Sequence, residues 1–354
     1  MIKYIGSKRT LIPPLQAAFS DLQPGARVLD LFTGTTRVAQ SLKALGLYVQ
    51  ANDHNHYAWM NARCYIEADG QIDTDAATQL ITELSQTAPE PGWFTQRYCH
   101  EARFFHPDNG ARIEAIRNRI DSLCLSPTLE AIALVSLMEA ADRVDSTTGV
   151  QMAYLKQWAA RAANPLQLRL PQLIAGPGKA TCMDALECAT AYSGSAAYLD
   201  PPYNQHNYRA NYHVWETLMQ WDNPEVYGVV CKRMDCKSEK SDFNSKRRIH
   251  AAFKAVVQAL DVPRLVVSFS NEGFLTQDQI EETLREHGHV STVAVDHKRY
   301  VGAQIGIYNP EGQAVGEVSH LTNQELIFVV DSSSKRAQEC AARVASAVGP
   351  KKSR

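Results

Sequence analysis

Asp200-Pro201-Pro202-Tyr203 brings together a carboxylate, a carbonyl and an aromatic ring within four residues. The lead-in Ala196-Ala197-Tyr198-Leu199 is apolar and strand-like, and two prolines cannot continue a sheet ladder. Asp200 is therefore expected at the carboxyl end of a strand, where open α/β sheets bind their ligands. Two fixed φ angles stiffen the turn, so the Asp200 side chain and the Pro201 carbonyl can accept together from one amino group. Tyr203 can then stack on a flat ring. A strand followed by a Pro-rich turn is common. The full tetrapeptide is rarer and points to amino-group chemistry.

Such a corner needs a second reactant, and the N-terminal third supplies a candidate site for it. Residues 27–31 read as a short buried strand and Phe32-Thr33-Gly34-Thr35-Thr36 as a tight turn. A helix follows with Val38, Leu42 and Leu45 on one face and Gly46 as its stop, then a second strand, Leu47–Ala51, that ends in Asn52-Asp53. Gly34 allows close backbone approach to a ligand, and the helix N-terminus presents N–H groups. The pattern is not GxGxxG, so pyrophosphate binding is not indicated. Asp53 stands where an acidic residue grips ribose hydroxyls in nucleotide-binding α/β units. A glycine turn alone is usually only a turn, and an Asp after a strand usually caps a helix. Their order, with the Asp-Pro-Pro-Tyr turn downstream, favours a site.

The remaining elements set the architecture. After a helix near Asn55–Ala68, residues 73–164 carry mostly helical periodicity, including Ala111–Cys124 and Thr128–Val144. Strands are expected at Gln167–Leu170, Ala180–Cys182 and Ala196–Leu199, and again at Arg264–Phe269, Val290–Val295 and Glu325–Val330. The fold class is thus α/β, a doubly wound sheet interrupted by a mainly helical insertion. The expected division is a catalytic domain of residues 1–72 and 175–348, an insertion of 73–174, a charged loop region of 204–248 within the catalytic domain and a disordered tail of 349–354.

The chain has 354 residues, of which 45% are hydrophobic and 21% charged, proportions that fit a globular protein with a large core. No apolar run approaches the roughly 20 residues of a bilayer span, and the N-terminus lacks the apolar region of a signal peptide. The eight cysteines lack CxxC pairs, so reduced thiols and a cytoplasmic location are expected. His54 and His56 have no further ligands beside them in sequence, and no metal is expected. The net charge is −2, so a nucleic-acid partner would have to meet local basic patches.

Lys3-Tyr4-Ile5-Gly6-Ser7-Lys8-Arg9, Asp30-Leu31-Phe32-Thr33-Gly34, Asn52-Asp53, Asp184 and Asp200-Pro201-Pro202-Tyr203 occur in that order. This order resembles the D12-class (alpha-group) DNA N6-adenine methyltransferases. The resemblance covers most of the chain and is strongest at the two ends of the catalytic half. It implies a Rossmann-like methyltransferase domain, S-adenosylmethionine as cofactor, and duplex DNA as partner. It further implies that Tyr4, Gly6, Ser7 and Lys8 lie beside the methionine part of the cofactor, with Asp30, Phe32 and Gly34 at the same end. Asp53 would meet the ribose and Asp184 the adenine amine of the cofactor. Asp200 and Pro201 would bind the target amine, Pro202 would stiffen the turn, and Tyr203 would stack on a flipped base. A separate restriction endonuclease, a monomeric enzyme and a bacterial, nucleoid-associated setting are also expected. First-loop glycines are fewer here than is usual in the group, and the strand before Asp184 is short.

Two basic windows are candidates for DNA contact. Residues 232–248 hold seven cations, among them Lys232, Arg233, Lys246, Arg247 and Arg248, against three carboxylates. The second window runs from Arg97 through Arg103 to His106, with Arg112, Arg117 and Arg119 beyond it, and interleaves cations with aromatics. A solvated charged face is the competing account of both. Asn207, Tyr208, Tyr212, His213, Trp215 and Trp221 either line a base pocket or pack a helix, and Asn271 is expected near the pocket. RNA methylation and non-catalytic nucleic-acid binding on the same fold are the alternative functions. The intact Asp-Pro-Pro-Tyr turn argues against the latter.

Overall fold

A computed structural model describes residues 2–298, 307–308, 314–316 and 322–348; the expected tail of 349–354 lies outside them. The core is a seven-stranded sheet. Its strands come from β1 (Arg27–Asp30), β2 (Tyr48–Asn52), β3 (Gly178–Thr181), β4 (Ala196–Leu199), β7 (Arg264–Ser270), β8 (His289–Lys298) and β11 (Thr322–Asp331). Two small hairpins, β5 (Val226–Tyr227) with β6 (Lys232–Arg233) and β9 (Ile307–Tyr308) with β10 (Ala314–Gly316), stand apart from it.

The strand order is β3-β2-β1-β4-β7-β11-β8. β11 runs antiparallel to both β7 and β8, and the other strand pairs of the sheet are parallel. All four residues of β4 and all seven of β7 are buried, as expected for parallel strands covered on both faces. One apolar cluster covers one face and a second, built around Phe253, Phe269 and Phe328, covers the other. From β1 the chain winds outward to β2 and β3, then returns to place β4 on the other side of β1. This reversal opens a crevice at the carboxyl ends of β1 and β4. Asp30 and Asp200 lie at those two ends.

The helical stretch comprises Thr74–Ser85, Trp93–Glu101, Pro107–Ser122 and Pro127–Arg143. Pro107 and Pro127 open their helices, where a missing N–H costs nothing, and Ser126 caps the latter by accepting from the Leu129 N–H. Helix Pro127–Arg143 is buried over most of its circumference because its middle, Ala131–Met138, has no polar side but Ser136. Its side chains belong to the same apolar cluster as those of β1 and β2.

The expected strand at Gln167–Leu170 does not form. The backbone there is tied to helices instead: Ser136 Oγ donates to the Arg169 carbonyl at 2.7 Å, and Arg143 donates to that of Gln167 at 2.8 Å. Asn109 likewise accepts from the Leu166 N–H at 3.0 Å. Side chains thus satisfy the groups that a ladder would otherwise have taken. The charged stretch of 204–248 is also more ordered than a loop. It contains helices Tyr208–Asn211 and His213–Gln220, hairpin β5–β6 and a short helix Asp235–Ser238.

Candidate active site at the switch point

The crevice between β1 and β4 is lined by Tyr4, Gly6, Ser7, Lys8, Asp30, Phe32, Gly34 and Asp53 on one side and by Asp200, Pro201, Pro202 and Tyr203 on the other. Two segments separated by roughly half the chain therefore face one cavity.

The first wall is an aromatic stack. The Tyr4 ring lies 4.8 Å from Tyr212 and 5.3 Å from Tyr208, centroid to centroid. The Ile5 N–H donates to the Tyr212 hydroxyl at 2.7 Å. Gly6 follows with φ +76°, and a Cβ there would stand 3.0 Å from the Tyr208 hydroxyl. Both the backbone sign and the space call for glycine. At Gly34, φ is +49° and a Cβ would approach the Tyr4 hydroxyl to 3.1 Å. The two glycines let the N-terminal turn and the β1 turn close on the same aromatic cluster.

The carboxylates differ in what holds them. Asp53 binds the β1 turn: its Oδ2 accepts from the Gly34 N–H at 3.0 Å, and its Oδ1 accepts from Asn55. Asp30 Oδ2 accepts from Thr33 Oγ1 and from the Ala39 N–H, both at 3.1 Å. One N–H of the helix that follows the turn is therefore already taken by the protein itself. Asp30 Oδ1 is buried without a hydrogen-bond partner. Burial, with Asp200 and Asp53 nearby, raises the Asp30 pKa to about 7. Asp30 lines the cavity, and a buried carboxylate with an oxygen lacking a partner suits a cationic ligand group.

Asp200 is held by one oxygen. Its Oδ1 pairs with the Lys8 ammonium at 2.9 Å and accepts from Ser268 Oγ at 3.2 Å. Ser268 is in turn hydrogen-bonded to Tyr198 at 2.7 Å. Oδ2 is left to meet an incoming donor. Burial lifts the Asp200 carboxyl to about 6 against the lowering effect of Lys8. Tyr203 packs 6.0 Å from Phe269, and its carbonyl accepts from the Phe274 N–H at 2.8 Å, which fixes the end of the turn. Asn244 closes the loop after it by donating to the carbonyls of Asn204 and His206, each at 2.9 Å.

Several expected residues sit elsewhere. Lys8 lines the cavity, but its ammonium goes to Asp200 and Glu325 rather than towards the β1 turn, because two carboxylates attract it there. Asp184 does not line the main cavity. It caps helix Ala185–Ala191, accepting from the Leu186 N–H at 2.8 Å, and faces a second chamber with Leu186, Phe243 and Val256. His54, Glu239 and Ser241 border both chambers. Asn271 is bound to Gln324 of β11 instead of entering the pocket.

The basic windows divide as well. Arg233 is buried and held by Asp222, at 2.7 Å, and by Asp235, so it is not available to a phosphate. Its network continues through Arg209 to the fully buried Glu216, whose carboxylate also receives His56 and the Tyr57 N–H. Lys246 and Arg247 are exposed; Arg248 is exposed but pairs with Asp242 at 2.9 Å. Lys232 is half-buried, 6.0 Å from the Tyr227 ring. Arg97 lies over Trp93, and Arg103 lies 4.6 Å from the Trp158 ring centroid. Trp158, which the sequence reading passed over, thus joins the second window.

Ser268 and Glu325 were also missed as site residues. Their signal was a polar residue inside or opening an otherwise apolar strand, Leu265–Phe269 and Leu326–Val330. Among the described residues, no three His, Cys, Asp or Glu side chains gather as a metal site, and no helix is long and apolar enough to cross a membrane.

A seven-stranded sheet with this winding and an Asp-Pro-Pro-Tyr corner at its switch point defines a methyltransferase fold. The D12 class N6 adenine-specific DNA methyltransferase family matches residues 4–265, and the chain belongs to that family. It is 29% identical over 335 residues to the type II methyltransferase M.NlaIII of Neisseria lactamica, covering 90% of this chain and 98% of that protein. It is 27% identical to the modification methylase StsI of Streptococcus sanguinis and 29% to the type II methyltransferase M.FokI of Planomicrobium okeanokoites. The matches cover 86% and 83% of this chain but only 50% and 48% of those longer proteins. A DNA methyltransferase requires DNA as substrate and a methyl donor.

Proposed function

We propose that this chain transfers a methyl group from S-adenosylmethionine to N6 of an adenine flipped out of duplex DNA. The observation that carries the reading is Asp200, anchored through Oδ1 so that Oδ2 and the Pro201 carbonyl remain for the two hydrogens of one amine. The N6 lone pair is delocalised into the adenine ring and is a poor nucleophile. Two acceptors on its hydrogens draw the nitrogen towards tetrahedral geometry and free the pair. Tyr203 supplies a ring for the extruded base to stack on, and Pro202 keeps the corner rigid.

The bound cofactor would supply an electrophilic sulfonium methyl. Asp30 Oδ1, buried and without a partner, fits its amino-acid ammonium, with Tyr4, Gly6, Ser7, Phe32 and Gly34 around the same end. Asp53 has lone pairs left for the ribose hydroxyls, and Asp184 would meet the cofactor's adenine from the second chamber. Positioning is the main catalytic device, worth up to roughly 7–11 kcal/mol when reacting atoms sit near attack.

Flipping a base costs a few kcal/mol, which phosphate contacts must repay. The insertion of residues 73–174 and the stretch 204–248 would provide them through Arg97, Arg103, Lys232, Lys246, Arg247 and Arg248. The names of the relatives support a role in restriction-modification; in this reading any cognate endonuclease is a separate chain and the methyltransferase acts as a monomer. The test is tritium transfer from S-adenosylmethionine to duplex DNA and to RNA of equal sequence, followed by nucleoside analysis. N6-methyladenine in DNA alone is the expected result. Transfer to RNA only, to cytosine or to neither nucleic acid would overturn the proposal.

A further inference from the structure

Lys8 touches two carboxylates, not one. Its ammonium, buried at 7% exposure, bridges Asp200 of the corner and Glu325 of β11. Glu325 does not line the cavity, lies beyond residues 4–265 that match the family, and is itself 6% exposed. It sits opposite Ser270 in the β7–β11 register, two residues past the Ser268 that holds Asp200. A carboxylate next to the apolar run Leu326–Val330 is expensive to bury, and its partner Lys8 also holds the catalytic corner.

We infer that Glu325 is a positioning residue for methyl transfer: it balances the charge of Lys8, so that Lys8 fixes Asp200 in place without removing its basicity. This rests on the reading under Proposed function. When the N6 lone pair forms its bond to the methyl carbon, the sulfur–carbon pair stays on sulfur and N6 becomes cationic. One N6 proton must then leave, and Asp200 Oδ2 is the oxygen placed to take it before passing it to water. An Asp200 neutralised by an unbalanced ammonium would be a weak hydrogen-bond acceptor and a weak base. Glu325 shares the ammonium and prevents that.

The titratable groups facing Asp200 are Lys8 from the N-terminal turn, Asp30 at the end of β1, Tyr198 on its own strand, Tyr203 and Tyr208 after it, and Glu325 from β11. Burial is the largest influence and raises the Asp200 pKa, Lys8 lowers it, and Glu325 raises it. Removing the Glu325 charge therefore lowers it.

The experiment is a carbon-13 NMR titration of labelled aspartates in the full chain, with the Asp200 resonance assigned by its loss in Asp200→Asn. Single-turnover transfer to duplex DNA is measured alongside. Glu325→Gln, of equal size and still able to accept from Lys8, is expected to move the Asp200 midpoint down by about one pH unit. The transfer rate should fall about tenfold, with its acidic limb moving the same way. Glu325→Asp, which keeps the charge, should restore both. Lys8→Met should shift the midpoint upward, and this variant serves if Glu325→Gln fails to fold. An unchanged or raised midpoint in Glu325→Gln, or a lowered one in Lys8→Met, overturns the inference even if activity drops. Absence of N6-methyladenine with the wild-type chain would instead overturn the proposed reaction and leave the titration readable.

Discussion

The corner at the ends of β1 and β4 and the charged stretch of 204–248 use charged side chains to opposite effect. At the corner, Asp30 and Asp200 are desolvated with one oxygen tied and one left, so their charge is held for a ligand. In the charged stretch, Arg233 and Arg209 spend their charge on Asp222, Asp235, Glu239 and Glu216. The former keep a carboxylate oxygen without a protein partner and point to chemistry; the latter are neutralised by opposite charges of the protein itself and point to architecture. A charge becomes functional through what the fold leaves unpaired beside it.

The largest effect that would sharpen this contrast is Asp200→Ala. Methyl transfer should fall about 10²–10³-fold, the scale of losing a preorganised polar group at a reacting centre, with cofactor affinity by calorimetry little changed. Retained transfer would break the comparison at its centre. Arg233→Ala should act on folding instead. We expect roughly 2 kcal/mol of lost stability by chemical denaturation, reduced from the cost of a fully buried pair because Asp222 is 40% exposed. Weakened DNA binding with unchanged stability would show that Arg233 belongs with the exposed cations.

The pH dependence separates the two corner carboxylates. Asp200 must be ionised to accept from an amine, and its carboxyl is raised to about 6, so the transfer rate should be lost as pH falls through that value. Asp30 is raised to about 7, so affinity for a cofactor carrying an ammonium should weaken as pH falls below neutrality. A rate and an affinity that stay flat from pH 8 to 5 would argue against both assignments. The smallest effect belongs to the surface. Lys246→Ala with Arg247→Ala should leave stability unchanged and reduce the salt slope of DNA binding by about 0.9 per lost phosphate contact. A slope equal to wild type would return both residues to the solvent.

Much of this was legible in the residues. The strand–turn–helix–strand run to Asp53 and the Asp-Pro-Pro-Tyr corner were readable because glycine, proline and apolar runs act on their own backbone neighbours. The segment Gln167–Leu170 looked like a strand for the same local reason and failed because Ser136 and Arg143, distant in sequence, took its carbonyls. Arg233 read as a phosphate contact because proximity to other cations is visible in sequence, whereas burial against Asp222 is not.

By itself, then, the sequence determined the α/β class, the two strand-end turns and the residue types at the reacting corner, since backbone sterics and hydrophobic periodicity are short-range properties. Only the tertiary structure decided that Lys8 meets Asp200 and Glu325, which oxygens of Asp30 and Asp200 the protein holds, and that Asp184 faces a second chamber. Those outcomes depend on strand order and on desolvation, which arise when segments up to 317 residues apart are packed together.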